Sequence, residues 1–122
     1  PFYEKLFVEM CDRLAGLQQE DGCWHASLLD PASYPAPETS ATGFMTYAMA
    51  YGINAGLLPK KRFLPIVQKG WKALVNSVDT EGKLCWVQPV GADPKQVQKS
   101  NTEVYGTGAF LMSAVEVYKL SD

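Results

Sequence analysis

DTEGKLCWVQPVGADPKQVQKSNTEVYGTGAFLM, residues Asp79–Met112, says again much of what QEDGCWHASLLDPASYPAPETSATGFM, residues Gln19–Met45, has already said. Each copy opens on an acidic turn with glycine and passes through Cys-Trp into a Pro-containing loop. Each then runs through Glu-x-x-small-Thr-Gly into an apolar stretch. Glu38, Ala41, Thr42 and Gly43 fall against Glu103, Gly106, Thr107 and Gly108 at a displacement of 65 residues, while Trp24 and Trp86 stand 62 apart. A supersecondary unit repeated at such a period is the signature of a repeat architecture.

Outward from this pair, four helices are predicted. Tyr3, Leu6, Phe7, Met10, Leu14 and Leu17 keep helical spacing over Phe2 to about Gln18, with charges between them, so the first helix is amphipathic. Pro31, Pro35 and Pro37 keep the following stretch non-helical as far as Glu38. The second helix, about Ser40 to Asn54, has hardly any polar face and is expected to be buried on most sides. The third, about Arg62 to Val78 with Pro65 in its first turn, is again one-sided. Lys83 to Val87 reads as a short strand or extended run. The fourth helix, about Thr102 to Leu120, is apolar nearly all round like the second.

Amphipathic and nearly all-apolar helices thus alternate. Concentric packing produces this pattern, with the amphipathic helices outside and the apolar ones in an inner ring. The expected fold class is all-α: two helical hairpins, about 1–58 and 59–122, forming an arc of an (α/α)6 toroid, with the long loops gathered at one end of the ring. An arc leaves the flanks of its terminal units uncovered, so the expectation includes missing N-terminal hairpins of the same domain, or self-association.

Composition excludes several classes. Of 122 residues, 47% are hydrophobic and 20% charged, a globular composition rather than a disordered one. The net charge of −2 offers no basic excess for nucleic acid or an anionic membrane surface, and Lys60-Lys61-Arg62 reads as a solvated helix start. No apolar run has the length of a membrane span. Cys11, Cys23 and Cys85 lack zinc-type spacing, so neither metal nor cofactor is expected. Cys23 and Cys85 read as small buried residues, with a disulfide between them left open. The compartment stays undecided between cytoplasm and periplasm.

Three stretches carry a family resemblance. They are Asp21-Gly22-Cys23-Trp24 followed by Pro37-Glu38-Thr39-Ser40-Ala41-Thr42; Lys69-Gly70-Trp71-Lys72-Ala73-Leu74 before Asp79-Thr80-Glu81-Gly82; and Thr102-Glu103-Val104-Tyr105-Gly106-Thr107-Gly108-Ala109-Phe110-Leu111. On these, the chain resembles the C-terminal part of the unsaturated rhamnogalacturonyl hydrolases, glycoside hydrolase family 105, and more distantly the unsaturated glucuronyl hydrolases. The resemblance implies a six-hairpin toroid acting on unsaturated uronyl oligosaccharides left by polysaccharide lyases. It also implies an aspartate general acid that protonates the C4=C5 double bond at C4, after which water adds at C5. Asp12, Asp21, Asp30, Asp79 and Asp93 do not sit in that aspartate's context, so no catalytic residue is expected in this chain, which alone would be inactive.

The candidate substrate-binding residues are Trp24, His25, Trp86, Gln88 and Tyr105. An indole face can stack on a pyranose, although a repeated Trp is equally suited to anchoring its loop, and that is the reading favoured. His25, the only histidine, is of a residue type suited to proton transfer, but with no partner carboxylate recognised it reads as a loop residue touching solvent. Glu38 and Glu103 could be acids at a pocket rim; capping of the helices that follow is favoured. Thr42 and Thr107 are read in the same role, and Gly43, Gly106 and Gly108 as sites of close helix packing. Gln88, Lys99 and Tyr105 in one copy, against His25 and the prolines in the other, mark where the copies differ and where substrate contacts are to be sought. The alternative to a hydrolase is a non-catalytic helical-repeat module that binds carbohydrate or protein.

Overall fold

The computed structural model describes residues 1–91 and 94–121, the side chain of residue 95 excepted; Asp93 lies outside the described residues. Four helices follow one another: α1 (Phe2–Ala15), α2 (Thr39–Asn54), α3 (Lys60–Asn76) and α4 (Val104–Lys119). Short 3-10 turns stand at Pro31–Ser33 and Pro94–Gln96. Two helical hairpins, α1–α2 and α3–α4, make the all-α arc that the alternating pattern predicts. No strand forms among the described residues; the extended run after Gly82 meets Val78 only through a single antiparallel bridge at Leu84.

The boundaries differ from expectation for local reasons. α1 ends at Ala15, not Gln18, because Gly16 breaks it and Gln18 has other partners. Its Nε2 donates to Gly22 O and to Ile66 O, both at 3.0 Å, tying the following turn to α3. α3 starts two residues early, so Pro65 lies inside it rather than in its first turn. The carbonyl that Pro65 cannot engage belongs to Lys61, an exposed residue, so the missing N–H falls on the wet side of the helix.

α2 packs most extensively on α4, next on α3, and only lightly on α1. The α2–α4 seam is built from small residues. A Cβ on Gly43 would lie 2.9 Å from Ala109 Cβ, so the helices approach as closely as glycine allows, and Ser113 Oγ donates across the seam to Gly43 O at 2.7 Å. Gly106 meets Val87 of the preceding loop rather than a helix, and Gly108 faces open space, so of the three glycines only Gly43 serves helix packing. Trp24, Phe63, Met49, Leu74, Val67 and Val87 are the largest fully buried apolar side chains. All three cysteines are free and buried. Burial, helped by Asp12 and Asp21 beside them, pushes the Cys11 and Cys23 thiols up to about 11.

α4 is not buried all round. Its covered stripe is Gly106, Ala109, Ser113 and Glu116, while Val104, Leu111, Val115 and Tyr118 are exposed. Phe2 and Tyr3 of α1 are exposed as well. Apolar surface is therefore left open on both flanks of the arc, as an arc of a larger ring requires.

The end of the inner pair away from the long loops is closed by Glu116. Asn54 Nδ2 donates to its Oε2 at 2.8 Å and to its backbone carbonyl at 3.0 Å, and Lys119 Nζ lies 2.8 Å from Oε1. The Lys119 hydrogen bond, then that of Asn54, holds this carboxyl below its ordinary 4.5 despite burial. A carboxyl with a depressed folded-state pKa stabilises the fold above its unfolded value, and that contribution is lost as pH falls through the folded value. Thermal stability is accordingly expected to be level above about pH 5 and to fall below it. Glu116→Gln should lower the neutral-pH midpoint and shallow the acid limb, read by circular dichroism melts between pH 3 and 7. An acid limb identical to that of the wild type would refute the assignment.

Candidate functional site

The loops entering α2 and α4 meet at the same end of the arc, and one carboxylate joins them. Glu38 is the N-cap of α2: its Oε1 accepts from Ser40 N at 3.0 Å and Ser40 Oγ at 2.6 Å, and its Oε2 from Ala41 N at 2.7 Å. Oε1 also accepts from Gln88 N, across from the second loop, at 3.0 Å. Three backbone donors and a hydroxyl thus converge on a side chain of a residue only 4% exposed. The capping reading holds for Glu38 and extends to a staple between loops. It fails for Glu103, whose side chain caps nothing and whose residue is exposed. Thr42 is buried and relays the same junction, donating to Glu38 O and accepting from Trp24 N, whereas Thr107 is exposed.

Around this staple lies an open groove of about 550 Å³. His25, Glu38, Met45, Gln88, Pro89 and Tyr105 are among its walls. Three of the five candidates, His25, Gln88 and Tyr105, therefore come together from both loops. Trp24 does not join them. It is fully buried, its indole N–H donates to Leu14 O at 2.8 Å, and it offers no face to a sugar; it anchors its loop onto α1. Trp86 is half-buried and does not line the groove. Its backbone does the positioning, with φ +61 in the left-handed region, its N–H donating to Lys99 O and its carbonyl accepting from Thr39 N. Lys99 is exposed and does not line the groove either.

His25 has a partner that sequence reading missed. Asp21 Oδ2 lies 2.8 Å from His25 Nε2, while Asp21 Oδ1 accepts from Cys23 N at 2.9 Å and shapes the turn. The signal was there, an acid four residues before the histidine. In the neutral imidazole, this contact places the proton on Nε2 and leaves Nδ1 an acceptor. Nδ1 is buried without a partner, as is Gln88 Oε1. Tyr105 uses its proton inside the protein, donating to Gln88 O. Burial first, then the nearby Glu103 and Glu38 charges, raises its pKa, so the hydroxyl stays a donor. Among the described residues, no three His, Cys, Asp or Glu side chains gather as a metal would need. Among the described residues no helix is long and apolar enough to cross a membrane.

A loop-lined groove at one end of an arc of concentric helices is the architecture of a helical-toroid glycosidase. Residues 1–121 match the model of Glycosyl Hydrolase Family 88, and the chain belongs to that family. The similarity to unsaturated-sugar hydrolases read from its motifs is borne out at the family level. The chain is 45% identical over 121 residues to an unsaturated 3S-rhamnoglycuronyl hydrolase of Formosa agariphila, covering 99% of this chain and 32% of that protein. Among solved structures it is similar to a glycosyl hydrolase family 88 protein from Bacteroides vulgatus, with TM-score 0.85, 40% identity, and coverage of 90% of this chain and 33% of that one. It is also similar to a protein described as a polysaccharide lyase, with TM-score 0.90, 38% identity, and coverage of 98% and 36%. The chain spans about a third of the length of these relatives.

Proposed function

We propose that this chain is the C-terminal arc of a toroid that removes an unsaturated uronic acid from the end of lyase-generated oligosaccharides, and that it supplies one wall of the sugar pocket. The observation that carries this reading is the groove of His25, Gln88 and Tyr105 around Glu38, in a chain similar along its whole length to an unsaturated rhamnoglycuronyl hydrolase. The substrate's C4=C5 double bond is an enol ether. Protonation at C4 makes C5 an oxocarbenium-like centre, water adds there, and the resulting hemiketal opens and releases the neighbouring sugar. That route needs one well-placed acid rather than the two carboxylates flanking an ordinary glycosidic bond.

Of the described carboxylates around the groove, neither is free to take the acid's part. Glu38 has both oxygens engaged by backbone donors, and Asp21 is committed to its turn and to His25. The acid belongs to the remaining two-thirds of the ring, which also covers Leu111, Val115 and Tyr118 of α4, and the arc alone is inactive. The second reading, a lyase, is favoured by the similarity to the protein described as a polysaccharide lyase. The two readings have opposite optical signs. Full-length protein given an unsaturated uronyl–rhamnose disaccharide should extinguish the absorbance of the conjugated double bond. A rise in that absorbance on intact uronate polymer would establish the lyase instead, and no change on either substrate defeats both.

A further inference from the structure

Among the described residues, three buried side-chain polar atoms have no hydrogen-bond partner: His25 Nδ1, Gln88 Oε1 and Thr46 Oγ1. Thr46 Oγ1 lies against Gly70 of α3, in a closed seam between helices. The other two belong to side chains that line one groove, His25 from the loop before α2 and Gln88 from the loop before α4.

Both side chains are tied in the same way. The donor end of each bonds to its own loop: His25 Nε2 to Asp21 Oδ2 at 2.8 Å, and Gln88 Nε2 to Pro89 O at 3.1 Å. These ties fix the polarity of the other end. A neutral imidazole that donates at Nε2 can only accept at Nδ1, and a carboxamide whose NH2 is held at one carbonyl presents its oxygen on the other side. Asp21 is itself held, since its Oδ1 accepts from Cys23 N at 2.9 Å. The imidazole side chain is only 10% exposed, so it does not turn freely into solvent. Two acceptors of fixed polarity are thus set into one groove from separate loops. A buried polar atom without a partner costs free energy, and two such acceptors call for a ligand that brings hydrogens to donate.

We propose that His25 Nδ1 and Gln88 Oε1 accept hydrogen bonds from sugar hydroxyls, and that Asp21 is the positioning residue that keeps His25 an acceptor. The inference rests on the uronyl-hydrolase reading above and deepens it: this wall of the pocket reads hydroxyls by the hydrogens they donate. Both atoms are covered in this structure, and the ridge beside them is loosely packed, with Val90 92% exposed and open space around Gly91. That ridge yields as the sugar enters.

The test uses the full-length protein and the unsaturated uronyl–rhamnose disaccharide. His25→Phe and Gln88→Met keep the approximate shape of each side chain and delete its acceptor. Each should raise KM about threefold to tenfold, the worth of one hydrogen bond, and leave kcat within about twofold, as loss of uniform binding does. The unfolding midpoint should stay at or above that of the wild type, because an unpartnered atom has gone. Asp21→Asn tests the positioning role. The Asn oxygen stays on Cys23 N, so its NH2 faces Nε2 and moves the ring proton to Nδ1. The ring-nitrogen NMR shifts of His25 should report that switch, and KM should rise as it does in His25→Phe. A switched tautomer with KM unmoved overturns the role given to Asp21. KM unmoved in His25→Phe and Gln88→Met overturns the whole proposal, the two atoms then holding internal water only. A kcat reduced about a hundredfold or more in His25→Phe overturns it too, since the imidazole would then be transferring a proton rather than accepting a hydrogen bond. If the wild type leaves the double bond intact, the uronyl-hydrolase reading fails and takes this inference with it; wild-type turnover with unmoved KM in the variants fails this inference alone.

Discussion

Glu38→Ala should destabilise the protein by roughly 3 kcal/mol, because three part-buried backbone N–H groups, those of Ser40, Ala41 and Gln88, lose their acceptor at once. Each orphaned donor costs about 1–3 kcal/mol when buried, and part-buried ones lie at the low end. Glu38→Gln keeps the volume but turns an NH2 group toward one of these donors, so about half the loss is expected. The measurement is the urea midpoint of the full-length protein, joined to hydrogen exchange at the Gln88 amide, which should quicken in both variants. A general acid would behave differently: Glu38→Gln would abolish turnover and leave the unfolding midpoint in place. That outcome would sink the cap-and-staple assignment.

How far the fold could be read in advance follows from which signals were local. The alternation of amphipathic and apolar helices is a property of each segment by itself, so four helices and their pairing were legible. Boundaries were not, since they turned on single side chains with distant partners: Gln18 left α1 to bind Ile66 O on α3. That α4 is apolar nearly all round does not make it covered all round. Only the Gly106, Ala109, Ser113 and Glu116 stripe is covered, and periodicity shows which faces are apolar but not which neighbour arrives.

For the site, residue type pointed to His25, Gln88 and Tyr105, and the structure brings those three to one groove. It could not disclose that Tyr105 donates inward to Gln88 O, or that Asp21 holds His25. The Asp21–His25 spacing of four was readable, but in a loop that spacing implies no proximity of the kind a helix guarantees.

The largest misreading concerned the repeat itself, and it yields the other large prediction. Matching Cys-Trp to Cys-Trp sets Trp24 against Trp86 at a displacement of 62. The turn hydrogen bonds give another register. Gln19 N donates to Cys23 O and Gly22 N to Gln19 O; Asp79 N donates to Lys83 O and Gly82 N to Asp79 O, so every member moves by 60. Gly22 and Gly82 agree, both left-handed at φ +88 and +82. In that register the counterpart of Trp24 is Leu84, which is 5% exposed, and Trp86 belongs to the two residues by which the second copy is longer before its loop. The shared dipeptide is thus not a shared structural position. Trp24→Ala should cost about 3–5 kcal/mol, as for truncation of a fully buried large aromatic, with the Leu14 carbonyl losing its indole donor as well. Leu84→Ala should cost about 2–4 kcal/mol, and Trp86→Ala, from a half-buried site where the new residue inherits the same left-handed backbone, about 1–2 kcal/mol. The order of the three unfolding midpoints carries the test. If Trp86→Ala proves as damaging as Trp24→Ala while Leu84→Ala is mild, the Cys-Trp register is the true one and both tryptophans are anchors.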